Sequence, residues 1–441
     1  MLRDARALLW GGLVLAGCPA AAPSVAEPST HVVAPGGDDR GPGTAERPWA
    51  TLEHAARRAG PGDRVLIRGG TYSLRTAIRP RRSGTEGAWI VYAAYPGESV
   101  VLDASSIEVP PPRGGPPFPH DQGAIQLEDV AYLRIQGITV RDSRMAGFTL
   151  RRAEHVELRG NATESTFGSG IAVWGSRHVR IEGNTVVGAN LREAGPSWFP
   201  ARAVPPHEAI TVASTEHFEV AHNHVHDGGK EGIDVKEASR HGSVHGNHVH
   251  HMARQGLYVD GWFAPLRHVE LAHNEVHDCE GAGVVLSVEN GPAVEDVQVH
   301  HNRIHDNLGT GLYFSRWGDG PRRRIAIEHN EIRHNGHGPP EEGERYYWIT
   351  GGIYLYSGNL EDVVIRDNVL VDNRGFQIGV GRPLRGELEP AAALAQRRIT
   401  VEHNVVDVGA DDPAPVRVGS TPEDRDEVIP IRGTDAIVGG S

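Results

Sequence analysis

The sequence predicts an all-β fold, a right-handed parallel β-helix in which each repeat is one coil of a solenoid, with a short N-terminal capping helix. Asparagines recur at 161, 184, 223, 247, 274, 302, 330, 368 and 404, with a base spacing of 23 to 28 residues. Within each repeat, the strand that ends in this asparagine is followed by a second strand, which mostly begins at a glycine. Both strands have alternating β-branched residues and no helical periodicity. Leucine-rich repeats share this period but need a regular leucine pattern, which is absent. We expect the asparagines to stack as an amide ladder at a tight turn.

The N-terminus carries the signs of export. Two arginines precede an apolar run that ends in the motif LAGC, the order of a bacterial secretion signal. The motif resembles a lipobox, which implies lipidation of Cys18 and a lipid anchor to a bacterial membrane. We therefore expect a lipoprotein signal peptide over 1–18, a tether over 19–30 and a cell-envelope location at the outer membrane or cell surface. Cleavage after Ala26 would instead give a secreted protein.

The rest of the chain divides into a cap, the repeats and a tail. Residues 31–110 are predicted to form the cap and first coils, 111–408 the β-helix repeats, and 409–441 a C-terminal tail or partial coil. The cap includes a helix over 51–59 that covers the open end of the solenoid with the small side chains of Ala55, Ala56 and Ala59. Residues 31–73 resemble the opening of many secreted β-helix proteins, including family 9 pectate lyases.

The net charge limits the classes of binding partner, and the cysteine content limits the possible disulfide bonds. The net charge of −13 argues against nucleic acid, because phosphate binding needs a basic face. An acidic protein that acts on an acidic polysaccharide needs local cations, as bound metal or clustered basic side chains. Cys279 is the only cysteine beyond the proposed lipidation site, so no intrachain disulfide is expected. We also predict that the protein is a monomer.

Lysine occurs at only two positions, both in the stretch GKEGIDVKE at 229–237. The chain has 44 lysines and arginines, so every other basic residue is an arginine. Arginine stays charged, whereas lysine can lose its proton when it is buried or crowded and can then serve as a base. The restriction of lysine to this stretch therefore marks it as a candidate catalytic coil, although two solvated lysines would also explain it.

Strand alternation places the side chains of that coil. Ile233 and Val235 should point inward, and Asp234 and Lys236 outward. With coils about 4.8 Å apart and in register, one outward column contains Ala172, Thr211, Asp234, Tyr258, Val285, Tyr313 and Tyr354. The next column contains Trp174, Ala213, Lys236, Asp260, Ser287, Ser315 and Tyr356. Charge is thus concentrated on a few coils between small and aromatic neighbours, as in a carbohydrate groove.

Two long insertions, at 191–207 and 336–351, fall at the same point of the repeat and should wall this groove. Both contain aromatic residues, and long loops in a compact solenoid are usually functional or disordered. The candidate substrate-binding residues are Tyr258, Trp262, Tyr313, Arg316, Trp198 and Tyr347.

β-Elimination on a uronate polymer fits these residues. A base removes the proton at C5 while a cation stabilises the charge that develops on the carboxylate. Lys236 is the candidate base, with a pKa lowered by a neighbouring cation, and Arg254 and Asp260 complete the candidate catalytic set. The oxygen ligands of Glu208, Glu231 and Asp234 lie on adjacent coils and suit Ca²⁺.

The stretch GIDVKEASRHGSVHGN, at 232–247, resembles the site coil of mannuronan C5-epimerases. Asp234 falls on the aspartate of their motif, Lys236 on its histidine and Glu237 on its final acid, while Val235 replaces a proline. Lysine as base with calcium is what the resemblance to family 9 pectate lyases and chondroitinase B-like lyases implies. C5-epimerisation, inverting hydrolysis by Asp234 and Asp260, and a non-catalytic carbohydrate-binding role remain open alternatives.

The chain has 25 histidines, many at a fixed offset from the ladder asparagines. Alternating histidines such as His222, His224 and His226 could bind Zn²⁺. A repeat copies its residues into every coil, however, so stacking along the solenoid explains most of them without a metal.

Overall fold

A computed structural model of the chain describes residues 29–111, 122–199, 204–315, 318, 320–338, 351–355, 357, 359–380 and 396–407, together with three short strands beyond them. Cys18, Arg316, Tyr347 and Tyr356 lie outside the described residues. The backbone forms three long parallel sheets that share one solenoid, so the predicted all-β parallel β-helix is confirmed.

Between residues 90 and 418 each coil contributes one strand to each sheet, and strands of successive coils pair in parallel. Sheet A contains β1 (Thr30–Val33), β2 (Arg64–Ile67), β4 (Ile90–Ala94), β7 (Ala131–Gln136), β10 (Glu154–Arg159), β13 (Arg177–Glu182), β16 (Glu216–Ala221), β19 (Arg240–His245), β22 (Leu266–Ala272), β25 (Val294–His300), β28 (Arg322–Glu328), β31 (Leu360–Arg366), β34 (Gln396–Glu402) and β37 (Ile431–Arg432). Sheet B contains β3 (Gly70–Ser73), β5 (Val100–Asp103), β8 (Ile138–Ser143), β11 (Ala162–Thr166), β14 (Thr185–Val187), β17 (His224–His226), β20 (His248–His250), β23 (Glu275–His277), β26 (Arg303–His305), β29 (Glu331–Arg333), β32 (Val369–Val371), β35 (Val405–Asp407) and β38 (Ile437–Val438). Sheet C contains β6 (Gly123–Glu128), β9 (Ala146–Arg151), β12 (Ile171–Trp174), β15 (Ile210–Ala213), β18 (Ile233–Lys236), β21 (Leu257–Trp262), β24 (Val284–Asn290), β27 (Leu312–Phe314), β30 (Ile353–Leu355), β33 (Ile378–Val380) and β36 (Val416–Val418).

The repeated asparagines form the predicted ladder between sheets A and B. Asn247 is typical: its Nδ2 donates to Val220 O at 2.8 Å and to Asn274 Oδ1 at 2.9 Å, and its Oδ1 accepts from the backbone and side chain of Asn223. The residue before each ladder asparagine is in the left-handed region, for example His222 at φ 56°. The ladder therefore satisfies buried polar groups at a sharp corner of every coil.

A second, shorter ladder was not predicted. Asn307 Nδ2 donates to Asn335 Oδ1, and Asn335 Nδ2 donates to Asn373 Oδ1, each at 2.9 Å. These asparagines occupy the same position in three neighbouring repeats, five residues after a ladder asparagine. They fix the corner between sheets B and C in the later coils.

A glycine leads most sheet C strands, and packing at the inner corner requires it. A Cβ on Gly232 would lie 2.5 Å from both Gly256 O and Val249 Cγ1. The same glycine of the next coil, Gly256, faces Val276 in the same way. The glycine column therefore lets the aliphatic side chains of sheet B fill the centre of the solenoid.

The capping helix is also confirmed, as α1 (Leu52–Arg58). Thr51 caps its first turn by accepting from His54 N at 3.1 Å, and Ala55, Ala56 and Ala59 are buried. They join one apolar core that runs along the inside of the solenoid. A one-turn 3₁₀ helix, Arg192–Ala194, lies in the first long insertion.

Two further observations concern the described residues as a whole. None of the helices among them is long and apolar enough to cross a membrane. Cys279 is a buried free thiol whose pKa burial raises to about 12, so it is an inert part of the core.

Candidate active site

The outward columns are aligned on sheet C as predicted. Strand pairing puts Asp234 beside Thr211 and Tyr258, and Lys236 beside Ala213 and Asp260. Ile233 and Val235 belong to the interior core. Asp234 and Asp260 point away from this core, yet they are only 1% and 4% exposed. The site is therefore a buried charged cluster rather than an open surface.

Glu208 is the centre of the cluster. Its Oε2 lies 2.8 Å from Lys236 Nζ, and its Oε1 lies 3.2 Å from Lys230 Nζ. Thr211 Oγ1 donates to Oε2 at 2.9 Å. Lys236 Nζ also lies 3.3 Å from Asp234 Oδ2. The two lysines thus hold carboxylates of neighbouring coils together.

Burial alone would raise the pKa of the Glu208 carboxyl, but Lys236 and Lys230 outweigh burial and hold that pKa well below its ordinary value. Burial would lower the pKa of Lys236, yet Glu208 and Asp234 outweigh it and raise the pKa above that of a free lysine. This direction is opposite to the lowering that we expected for a base. In the resting site Lys236 is an ammonium.

Two aspartates of the cluster have a raised pKa, in contrast to the lowered pKa of Glu208. Burial raises the pKa of Asp234 well above its usual range, and the negative charges of Glu208 and Asp260 add to this against the opposing effect of Lys236. Burial and the charge of Glu289 raise the pKa of Asp260 to about 8. Asp260 therefore carries a proton at neutral pH, which makes it a candidate acid or base.

A cleft of about 460 Å³ opens beside the cluster, on the coils that follow it. Its lining includes the predicted residues Arg254, Tyr258, Trp262 and Tyr313, together with Glu231, Gln255, Val285, Glu289, Asn290 and Ser315. Lys236 and Asp260 are not among its lining residues, and Asp260 lies behind Trp262, whose Nε1 donates to Asp260 Oδ2 at 2.6 Å. The structure thus brings three of the six candidate binding residues, Tyr258, Trp262 and Tyr313, together next to the candidate catalytic residues.

The aromatic residues of the cleft differ in availability. Tyr258 and Tyr313 are 8% and 2% exposed and pack with Tyr354 in a small apolar cluster on the outer face of sheet C. Trp262 is half-buried, and its neighbour Phe263 is 73% exposed, with ring centroids 5.6 Å apart. Of the aromatic residues that line the cleft, Trp262 is therefore the most accessible.

Arg254 is the cation at the rim of the cleft. Its side chain is 45% exposed, and its Nη1 donates to Glu231 Oε1 at 3.0 Å. The guanidinium can therefore reach a ligand in the cleft while Glu231 orients it.

The carboxylates of the predicted calcium site suit the ion in kind but not in spacing. Glu231 Oε2 and both oxygens of Asp234 are buried and accept no hydrogen bond from the described residues. No carboxylate trio among the described residues, however, brings one oxygen each within 4.8 Å of the others. Lys230 and Lys236 lie between the acids instead, so calcium at Glu208, Glu231 and Asp234 stays a prediction that requires an ammonium to move.

Trp198 corrects one expectation. Its Nε1 donates to Val109 O at 2.6 Å, and its ring packs against the interior core. The first insertion thus folds back towards earlier coils, and Trp198 is a packing residue rather than a wall of the cleft.

Two residues of the site were not predicted as functional. Lys230 Nζ lies 3.7 Å from Glu231 Oε2 as well as 3.2 Å from Glu208, so it joins two coils. Glu289 lines the cleft and accepts a hydrogen bond from the Tyr258 hydroxyl. The alternation of β24 would have found Glu289, because it points outward in the same row as Val285 and Ser287.

A family model described as a right handed beta helix region matches residues 123–299 and 293–383, more than half of the chain. The chain therefore belongs to the right-handed β-helix family. A second model, described as a Pel9A-like right handed beta helix region, matches residues 31–190. Together they confirm the predicted pectate lyase-like superfamily and the right-handed coil.

Individual relatives are distant. The uncharacterized protein YwoF of Bacillus subtilis is 33% identical over 110 residues, 25% of this chain and 21% of the relative. Pectate lyase PEL9 of Emericella nidulans is 24% identical over 222 residues, 43% of this chain and 54% of the relative. The chain thus spans about half or less of the length of these curated relatives. The GH136 lacto-N-biosidase of Eubacterium ramulus superposes with a TM-score of 0.53 at 14% identity, over 86% of this chain and 68% of that one, which shows a shared fold.

Proposed function

We propose that the chain is a cell-envelope enzyme that cleaves a uronic-acid-containing polysaccharide by β-elimination. One observation carries the proposal: a buried cluster of acids and lysines lies on the outer face of consecutive coils, directly beside an aromatic-lined cleft. Burying several charges costs stability, so a purely structural solenoid has no need of such a cluster. The partial similarity to a pectate lyase supports the same class of substrate.

The cleft supplies the groups that bind a uronate. The guanidinium of Arg254 suits the sugar carboxylate, and Trp262 presents a partly exposed ring to the sugar. Gln255 lines the cleft, and its buried Oε1 accepts no hydrogen bond from the described residues, so a sugar hydroxyl that reached it would satisfy this oxygen.

Lys236 is the proposed base, and it must lose a proton before it can act because it is an ammonium in its ion pairs. Burial disfavours both the ammonium of Lys236 and the carboxylate of Asp234. Passing a proton from Lys236 Nζ to Asp234 Oδ2, 3.3 Å away, leaves two neutral groups. The free amine could then take the C5 proton of the sugar, after which the electron pair at C5 forms the C4–C5 double bond, the C4–O bond breaks, and the departing oxygen takes a proton from solvent to leave as an alcohol.

Hydrolysis is the second candidate, favoured by Asp260. Because its pKa is raised to about 8, this carboxyl is protonated at neutral pH and can donate to a leaving oxygen, as an inverting hydrolase requires. Epimerisation shares the first step of elimination and would return the proton at C5 from the other face.

The test is digestion of pectate, alginate and glycosaminoglycans with the purified protein. Ultraviolet absorbance from the new double bond identifies elimination, whereas new reducing ends without it identify hydrolysis. Exchange of the C5 proton with deuterated solvent, without cleavage, identifies epimerisation. The absence of all three would leave a carbohydrate-binding protein and refute the proposal.

Lys236→Arg tests the base. Arginine keeps the positive charge and its pairing with Glu208 but cannot give up its proton, so we expect a loss of about 10²- to 10⁴-fold in rate. Lys230→Arg is the matched control, because Lys230 also pairs with Glu208 but is not the proposed base. Equal activity of the two variants would remove Lys236 as the base.

We also propose lipid anchoring through Cys18 at the bacterial cell envelope, supported by the LAGC motif and the preceding apolar run. Mass spectrometry of the mature N-terminus tests this. An unmodified N-terminus at residue 27 would instead identify a secreted protein.

A further inference from the structure

Sheet B carries a histidine cluster that plays no part in the proposed polysaccharide site. His224 lies on β17, and His248 and His250 lie on the adjacent strand β20. One ring nitrogen from each lies within 4.8 Å of the other two, and all three side chains are half-buried. The triad therefore joins two successive coils.

The cluster is more than the repetition of one residue. One column of sheet B reads Thr185, His224, His248, Glu275 and Arg303, and the other reads Val187, His226, His250, His277 and His305. Both columns contain histidine only on the coils of β17 and β20. A stacking role explains the longer column, but it does not explain why the shorter one becomes histidine at those two coils alone.

The ring nitrogens already face one another. His224 Nε2 lies 2.8 Å from His250 Nε2, and His248 Nε2 lies 2.8 Å from His277 Nε2. Each contact joins two nitrogens that can share at most one proton. On two of these four rings the opposite nitrogen is occupied as well: His250 Nδ1 contacts His251 Nδ1, and His277 Nδ1 contacts Asp278 Oδ2, each at 2.6 Å. Such outer contacts fix the ring and direct Nε2 towards the cluster, as in histidine metal sites.

We propose that His224, His248 and His250 bind one late first-row transition-metal dication, for which Zn²⁺ is the probe. Imidazole nitrogen is a preferred donor for these ions, whereas Ca²⁺ prefers oxygen. Two nitrogens about 2.0–2.1 Å from a tetrahedral Zn²⁺ lie about 3.3 Å apart, so the 2.8 Å contact must open by about half an ångström. The bound ion clips two coils together on a sheet other than that of the polysaccharide cleft.

The test measures metal content and stability of the tag-free protein, because a polyhistidine tag binds the same ions. We expect calorimetric titration to give one high-affinity Zn²⁺ site, a rise in the thermal unfolding midpoint with Zn²⁺ but not with Ca²⁺, and visible absorbance when Co²⁺ replaces Zn²⁺. His224→Gln and His250→Gln should each lose the site, and each alone suffices if the other fails to fold.

Two control variants make the result specific. His305→Gln alters the same histidine column outside the triad and should keep the site. His301→Gln alters a second group, His273, His300 and His301, whose nitrogens also converge. The proposal is overturned if the unaltered protein binds no Zn²⁺, if both triad variants bind it as before, or if only His301→Gln abolishes binding.

Discussion

Glu208→Gln should destabilise the coils of the cluster. Glutamine keeps the shape of the side chain but removes the charge that lies 2.8 Å from Lys236 Nζ and 3.2 Å from Lys230 Nζ. Glu208 is 5% exposed, so water cannot replace the lost carboxylate. The two ammonium groups then remain buried with fewer partners.

Removing one partner of a buried ion pair costs about 3 to 5 kcal/mol. Here Lys236 keeps Asp234 at 3.3 Å and Lys230 keeps Glu231 at 3.7 Å, so we expect the lower end, about 3 kcal/mol. The pKa of Glu208 is held well below its ordinary value. Its contribution to stability is therefore present above the ordinary pKa of a glutamate and is lost as the pH falls through the lower, folded value.

Hydrogen exchange is the suitable assay, because a solenoid opens locally and has no single unfolding free energy. The amides of β15 and β18 should exchange with an opening free energy lowered by about 3 kcal/mol at neutral pH. Glu216→Gln is the matched control, since Glu216 pairs with Arg240 at 2.8 Å but both side chains are over a third exposed. That change should cost far less than Glu208→Gln, because water screens an exposed ion pair.

Equal effects of the two substitutions would refute the reasoning, because the cluster would then behave as ordinary solvated ion pairs. An effect of Glu208→Gln that is largest in acid and vanishes at neutral pH would refute it as well, since it would reverse the sign of the pKa shift.

Three further predictions concern the acid, the ladder and the ion. Because the native pKa of Asp260 is about 8, the folded chain holds a proton that the unfolded chain releases. Stability should therefore fall as the pH rises from about 4 to 8. Asp260→Asn should flatten this slope when unfolding midpoints are measured against pH. Asn247→Asp removes the donors to Val220 O and Asn274 Oδ1 and should cost about 2 to 4 kcal/mol by hydrogen exchange, and a change below 0.5 kcal/mol would contradict the ladder. If Asp234 binds the predicted Ca²⁺, calorimetry should detect an ion that Asp234→Asn loses, and no heat in the unaltered protein would withdraw the prediction.

The coil geometry could be predicted from the sequence because its causes are periodic. The asparagines at the corner between sheets A and B and the glycines at most sheet C entrances fix the register, and the register alone aligns Asp234 with Tyr258 and Lys236 with Asp260. The reason for the glycine, close approach to Val249 of sheet B, follows from the same repeat.

The protonation states and loop paths could not be predicted in this way. A column gives neighbours along a sheet, but the pairing of Lys236 with Glu208 joins residues offset along adjacent coils through long side chains. That pairing raises the pKa of Lys236 instead of lowering it. Trp198 belongs to an insertion with no periodicity, so nothing in the repeat indicated its contact with Val109. The second ladder, at Asn307, recurs in too few repeats to stand out.

The neighbour-only contacts of the coils have an evolutionary consequence. Within the three sheets the strands of each coil pair only with those of the coil before and the coil after, so a damaging substitution in the coil of Asp234 should weaken a short segment and leave both arms of the solenoid folded. Outward-facing residues of one coil can therefore change during evolution, and with them the reaction, while the other coils stay folded. Variation among relatives should accordingly be steepest at outward positions and slightest at the corner asparagines.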